Sequence, residues 1–189
     1  MSAKRGLLVV ISAPSGGGKT TLASELLSRF SNGRRSITCT TRPPRSTEIP
    51  GQDYIFLKEE EFKDLVEKGS FAEWAMVHGY RYGTRKSVIE EAVAKGEVLF
   101  MTIDVQGAKA IKKAFPDALT IFVNPPDFDI LETRLRKRGT ENDTDIRRRL
   151  ENARKEIAQA SDFDFRVLND HLERAALEIE SIVRRRLGA

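Results

Sequence analysis

A single cysteine, Cys39, stands among 189 residues, so no internal disulfide can form and the chain suits a reducing compartment. No apolar stretch approaches the roughly 20 residues that span a bilayer. The run Leu7 to Ile11 is short and leads directly into a glycine-rich loop, which predicts neither a membrane anchor nor a secretory leader. Internal repeats and low-complexity tracts are also missing. These absences exclude a disulfide-stapled secreted module, a membrane-spanning protein and a solenoid. They predict a cytoplasmic protein with no membrane partner.

What is present fits one compact domain. The chain is 40% hydrophobic and 32% charged, enough apolar material to bury a core without staples. The net charge is +4, and nine Lys/Arg against four Asp/Glu between Arg134 and Lys155 hold an excess that could account for all of it. Such a stretch is either a solvated helical face or a clamp for a polyanion such as a nucleoside triphosphate or nucleic acid.

Leu7 to Ile11 reads as a strand buried on both faces of a parallel sheet. Thr20 to Phe30 follows with Leu22, Ala23, Leu26, Leu27 and Phe30 at helical spacing, so strand, loop and helix open a βαβ unit. Further buried strands are expected at 36–40, 98–103, 119–123 and 165–168. Helices are expected at 85–95, 106–115, 127–138, 145–161 and 171–187. The alternation predicts an α/β fold with a parallel-sheet core and right-handed crossovers. Residues 42–84 break it. Pro43, Pro44, Pro50 and Gly51 precede a short strand at 54–57, a helix at 59–68 and a strand at 71–77, which reads as a small α+β insert. A polar segment, 139–144, is flanked by arginines, as a mobile flap would be.

Ala13-Pro14-Ser15-Gly16-Gly17-Gly18-Lys19-Thr20 nearly matches the P-loop, with alanine at its first glycine. Triphosphate oxygens need several donors converging on a small volume. Successive backbone N–H groups supply them, and glycines let the backbone approach without a Cβ. Lys19 would bridge the β- and γ-phosphates and Thr20 would ligate Mg²⁺, with Thr21 beside it in the same helical turn. The helix N-terminus adds a favourable dipole. The motif specifies phosphate binding, not a reaction. No Asn-Lys-x-Asp is present to read guanine as a GTPase does, and the length together with an insert for a second substrate favours a small kinase. Arg42 and Arg45, three apart in a stretch stiffened by two prolines, suit a phosphate monoester, and Tyr54 and Tyr82 could add hydroxyls.

These motifs, together with Gly51-Gln52-Asp53-Tyr54, Phe71-Ala72-Glu73-Trp74-Ala75, Tyr82-Gly83-Thr84, Asp104-Val105-Gln106-Gly107, Leu135-Arg136-Lys137-Arg138-Gly139 and Val167-Leu168-Asn169-Asp170, closely resemble the guanylate kinases over nearly the whole chain. The resemblance implies a P-loop NTPase fold and Mg²⁺- and ATP-dependent phosphorylation of GMP and dGMP. It also implies a core (1–35, 85–137 and 158–189), a GMP-binding insert (36–84) and a lid (138–157). By position, Arg42, Arg45, Tyr54 and Tyr82 match contacts to the GMP phosphate. Thr38, Glu73, Thr84 and Asp104 match guanine-reading positions. Arg138 and Arg149 match arginines that meet ATP and the transferring group, and Asn169 falls in the stretch lining the adenine and ribose side. ATP and GMP or dGMP are the partners so implied, without nucleic acid; the oligomeric state is left open. Thr102 stands where the family often has a second acid. Asp104, at the end of an apolar run, could serve guanine, Mg²⁺ or both.

Three other readings compete. Scaffold relatives that keep the fold as a protein-binding module typically lose the P-loop lysine and lid arginines, which are present here. A kinase for another phosphorylated acceptor, such as a ribose bisphosphate, would not call for Glu73 with Tyr82-Gly83-Thr84. Nucleic-acid binding through the basic stretch would make duplex affinity salt-sensitive.

Overall fold

The computed structural model describes residues 6–14, 16–77, 79–136 and 143–188. Strand β1 (Leu7–Ser12) is buried along its length, and its alternate residues serve opposite layers. Leu7, Val9 and Ile11 pack with helices α1 (Lys19–Arg29) and α7 (Leu172–Leu187) through Leu22, Leu26, Ile179 and Val183. Leu8 and Val10 pack with α3 (Lys86–Ala94) and α4 (Val105–Ala114) through Ile89, Ala92, Ala108 and Ile111. A strand with period-two side chains and no polar face can rest only between two helical layers.

β1 lies at the centre of a five-stranded sheet. Its order is β2 (Gly33–Arg35), β7 (Val98–Thr102), β1, β8 (Leu119–Asn124), β9 (Phe165–Leu168). Every pairing in it is parallel. Between β8 and β9 lie α5 (Phe128–Arg136), α6 (Asp143–Ile157) and a short 3-10 turn. The parallel core and its helical layers are as the alternation predicts.

The strand expected at 36–40 divides. β2 belongs to the core, and the Ser36 N–H donates to the Phe100 carbonyl as the last link to that sheet. After Ile37 the chain joins a second, four-stranded sheet as β3 (Thr38–Thr40). There the order is β4 (Tyr54–Phe56), β3, β6 (Tyr80–Arg85), β5 (Phe71–Val77). β3 runs parallel to β4, while β6 is antiparallel to both β3 and β5.

Helix α2 (Glu59–Glu67) covers one face of this sheet, with Phe62 stacked on Phe71 at a centroid distance of 4.4 Å and Cys39 buried beside them. Strict alternation would put Phe71 and Glu73 on one face. The register slips between them, and the bulge sends Phe71 towards α2 and Glu73 to the opposite side. Among the described residues, no helix is long and apolar enough to cross a membrane.

Candidate active site

The carboxyl ends of three core strands deliver the site, the usual place for ligands on an open parallel sheet. β1 runs into the glycine loop, β7 into Ile103 and Asp104, and β9 into Asn169. In the loop, Gly16 and Gly18 have φ of 85° and 89°, and Gly18 caps α1 from the left-handed region that only glycine adopts freely. Gly17 N–H donates to the Pro14 carbonyl at 2.8 Å. A Cβ on Gly17 would lie 2.9 Å from the Ala13 side chain, so the loop closes around a buried alanine. Pro14, Gly16, Gly17, Gly18, Lys19, Thr20 and Thr21 line a hollow of about 160 Å³. Ser15 lies outside the described residues. Lys19 Nζ is folded back onto the Ala13 and Pro14 carbonyls.

Asn169 is buried beneath the loop, not on an open groove, and its amide donates to the Gly17 carbonyl at 2.9 Å. Arg149 is half-buried on α6, and Arg138 lies outside the described residues.

A second cavity, of about 340 Å³, opens between the two sheets. Thr38, Tyr54, Glu73, Tyr82, Asp104 and Thr102 line it with polar atoms, Ala75, Val77 and Ile103 with apolar ones. Lys19 lines this cavity as well as the loop hollow. Register accounts for the assembly. Thr38 lies opposite Tyr54, Ala75 opposite Tyr82 and Glu73 opposite Thr84, all on one face.

The deep end is acidic. Glu73 is 7% exposed and Thr84 wholly buried, and neither Glu73 Oε1 nor Thr84 Oγ1 completes a well-aligned hydrogen bond. Burial pushes the Glu73 carboxyl up to about 7; the neighbouring Thr84 hydroxyl opposes the rise and the Asp104 carboxylate adds to it. Asp104 caps α4, its Oδ1 accepting from the Gly107 N–H at 2.7 Å. A Cβ on Gly107 would lie 3.3 Å from both Asp104 Oδ1 and Glu73 Oε2, so this glycine lets the two acids share the end of the cavity.

The other end is basic and aromatic. Arg42 Nε donates to Tyr82 Oη at 3.2 Å, and its guanidinium carbon lies 5.4 Å from the Tyr54 ring centroid. Burial raises the Tyr54 phenol above its ordinary value, so it stays a neutral donor. Arg45 is exposed and is not among the residues that line the cavity. Sequence reasoning missed Glu48, which binds Arg42 Nη2 at 2.7 Å, although an acid three residues after Arg45 was a readable turn signal. It also gave Gly107 no role, because only the packed structure shows what a side chain there would strike.

The glycine-loop hollow and the second cavity share Lys19 in their linings, and the second cavity carries the Glu73 and Asp104 carboxyls at one end. The guanylate kinase family profile matches residues 5–186. The chain belongs to the guanylate kinase family. Its sequence is 50% identical to the guanylate kinase of Anaeromyxobacter dehalogenans over 95% of this chain and 80% of that one. With the Thermotoga maritima guanylate kinase it shares 46% over 95% and 87%. The crystal structure of guanylate kinase from Anaplasma phagocytophilum superposes with a TM-score of 0.79 at 32% identity, covering 96% of this chain and 86% of that one.

Proposed function

We propose that the chain catalyses ATP-dependent phosphorylation of GMP to GDP, and of dGMP to dGDP, with ATP on the glycine loop and the acceptor in the 340 Å³ cavity. One observation carries this reading: among the described residues Lys19 is the cation that lines both compartments, at the junction where donor and acceptor phosphates would meet. An acceptor phosphate oxygen is already a nucleophile. In-line transfer therefore needs positioning and charge neutralisation more than a general base.

Each end of the cavity has its task. Arg42, Arg45, Tyr54 and Tyr82 would hold the acceptor phosphate, and Thr38, Glu73, Thr84 and Asp104 would read the base. Guanine offers N1–H and N2–H₂ as adjacent donors, which suit the under-satisfied Glu73 and the neighbouring Asp104. Adenine would present a lone pair at N1 to a carboxylate, the kind of mismatch that supports large discrimination.

On the donor side the loop amides, Lys19, Arg138 and Arg149 would neutralise the transferring group. Asn169 would contribute by holding the loop in shape. Thr20, exposed in the first turn of α1 at the edge of the hollow, fits a hard cation that prefers oxygen ligands. It would hold Mg²⁺, which when bound supplies charge neutralisation and orientation of the triphosphate.

The division into core, insert (36–84) and lid (138–157) follows the same logic, since an open site would pass the phosphoryl group to water. Several charges of the basic stretch are already used within the protein. Arg136 pairs with Glu132 and Asp143, Lys155 with Glu151, and Arg154 lies over Phe128. That favours a role at the lid over nucleic-acid binding. The lone buried Cys39 and the lack of a spanning helix among the described residues support a cytoplasmic setting.

Incubation with ATP, Mg²⁺ and GMP, followed by separation of nucleotides, tests the reading. ADP and GDP should form in equal amounts; ADP without GDP would mark a hydrolase and refute transfer to GMP.

A further inference from the structure

We infer that Glu48 is a positioning residue for the acceptor phosphate, holding the arginine fork in its binding geometry before the ligand arrives. The inference rests on the reading of the 340 Å³ cavity as the GMP site. Both carboxylate oxygens are used. Oε1 accepts from Arg42 Nη2 at 2.7 Å, and Oε2 accepts from the Arg45 backbone N–H at 2.8 Å. The Glu48 N–H in turn donates to the Arg45 carbonyl at 3.1 Å, closing the turn. One side chain thus ties the Arg42 guanidinium to the backbone of the turn that carries Arg45.

Arg42 is fixed from every nitrogen. Nε donates to Tyr82, Nη1 to the Pro43 carbonyl at 2.7 Å and Nη2 to Glu48, while the Tyr54 and Phe56 rings flank the guanidinium. One N–H on each terminal nitrogen is left over, which is the two-pronged donor a phosphate takes. The Arg42 and Glu48 side chains are each only 12% exposed, and the guanidinium holds the Glu48 carboxyl below the usual carboxylate range, so the pair stays ionised.

A carboxylate beside a phosphate site is a paradox if only charge is counted, because it repels the ligand. The opposing effect is conformational. A free arginine loses rotamer freedom on binding, and an arginine already fixed does not. The Glu48 charge is paired at 2.7 Å with the Arg42 guanidinium, which offsets its repulsion of a phosphate, whereas the fixing acts directly on the binding group. Fixing therefore outweighs repulsion.

The test is Glu48→Gln, which keeps the shape and one acceptor oxygen. Steady-state kinetics would give KM for GMP and for ATP, and guanosine, which lacks the phosphate, would serve as an inhibitor competing with GMP. The expected result is a KM for GMP raised roughly five- to tenfold, with the guanosine inhibition constant and the KM for ATP within about twofold of the parent. Guanosine binding at parental strength also shows that the variant is folded. An unchanged or lowered KM for GMP would overturn the inference, since repulsion would then dominate. Guanosine weakened by the same factor as GMP would overturn it too, because Glu48 would then merely hold the insert together. Failure of the parent protein to turn over GMP would instead strike the reading of the site.

Discussion

Replacing Glu73 by glutamine should make the nucleotide-free protein more stable and a poorer enzyme, and the gain should depend on pH. Burial among the insert strands raises this carboxyl from an ordinary 4.5 to about 7. Between those values the unfolded chain has shed the proton that the folded chain retains. The folded state therefore loses stability as pH rises from 4.5 through 7, and the loss is complete above that. The gap corresponds to about 3 kcal/mol. At 7% exposure little solvent reaches the group to reduce it. Glutamine cannot ionise, so it escapes the penalty. For a chain of this size the gain at pH 8 amounts to a rise in Tm of roughly 5–10 °C, shrinking towards zero near pH 4.5. Thermal melts followed by circular dichroism, on both proteins without nucleotide at pH 5 and pH 8, would measure it. Equal melting temperatures at pH 8, or the same gap at both pH values, would refute the reasoning. GMP turnover should fall in the variant while ATP binding stays nearly intact, because an amide offers the guanine donors only one acceptor. In the parent protein guanosine should bind roughly tenfold more tightly at pH 8 than at pH 6, since its donors require the ionised carboxylate. Guanosine is the better probe here, as a phosphate monoester itself titrates near pH 6.

Three further substitutions test the parts separately. Gly107→Ala would press a methyl to 3.3 Å from both Asp104 Oδ1 and Glu73 Oε2; KM for GMP should rise about tenfold with KM for ATP unchanged, which paired kinetic measurements would show. Asn169→Ala removes the donor to the Gly17 carbonyl. It should cost about 1–3 kcal/mol in chemical denaturation and weaken ATP binding by calorimetry more than GMP binding. Lys19→Ala should lower kcat at least about 100-fold with GMP or dGMP, measured by coupled ADP release, because it removes the cation that, among the described residues, lines both compartments.

Much of the fold was legible because its signals are local. Leu7 to Ile11 has no polar face, and the glycines and Lys19 follow it at once, so strand, loop and helix could be read in one pass. The elements that escaped depend on distant partners. Gly33–Arg35 carries little apolar pattern of its own and is a strand because β7 lies beside it. The break at Ser36 and Ile37 is a change of sheet, invisible to a periodicity that continues across it.

The site divides in the same way. Of the residues lining the cavity, Tyr54 and Tyr82 were read as hydroxyl donors from the residues alone, whereas Thr38, Asp104 and above all Glu73 were named only from the family resemblance. Its inward turn comes from a bulge that alternation does not foretell. Glu48 and Gly107 act only through contacts that the packed structure creates, and Asn169 proved to touch the loop from beneath.

The central claim is that the acids at the deep end of the cavity select guanine. Coupled ADP-release assays with ATP and Mg²⁺ against GMP, dGMP, AMP, CMP and UMP measure it most directly. The kcat/KM for GMP should exceed that for AMP by at least about 1,000-fold, with dGMP accepted. Comparable values for GMP and AMP, or no turnover of GMP, would contradict it.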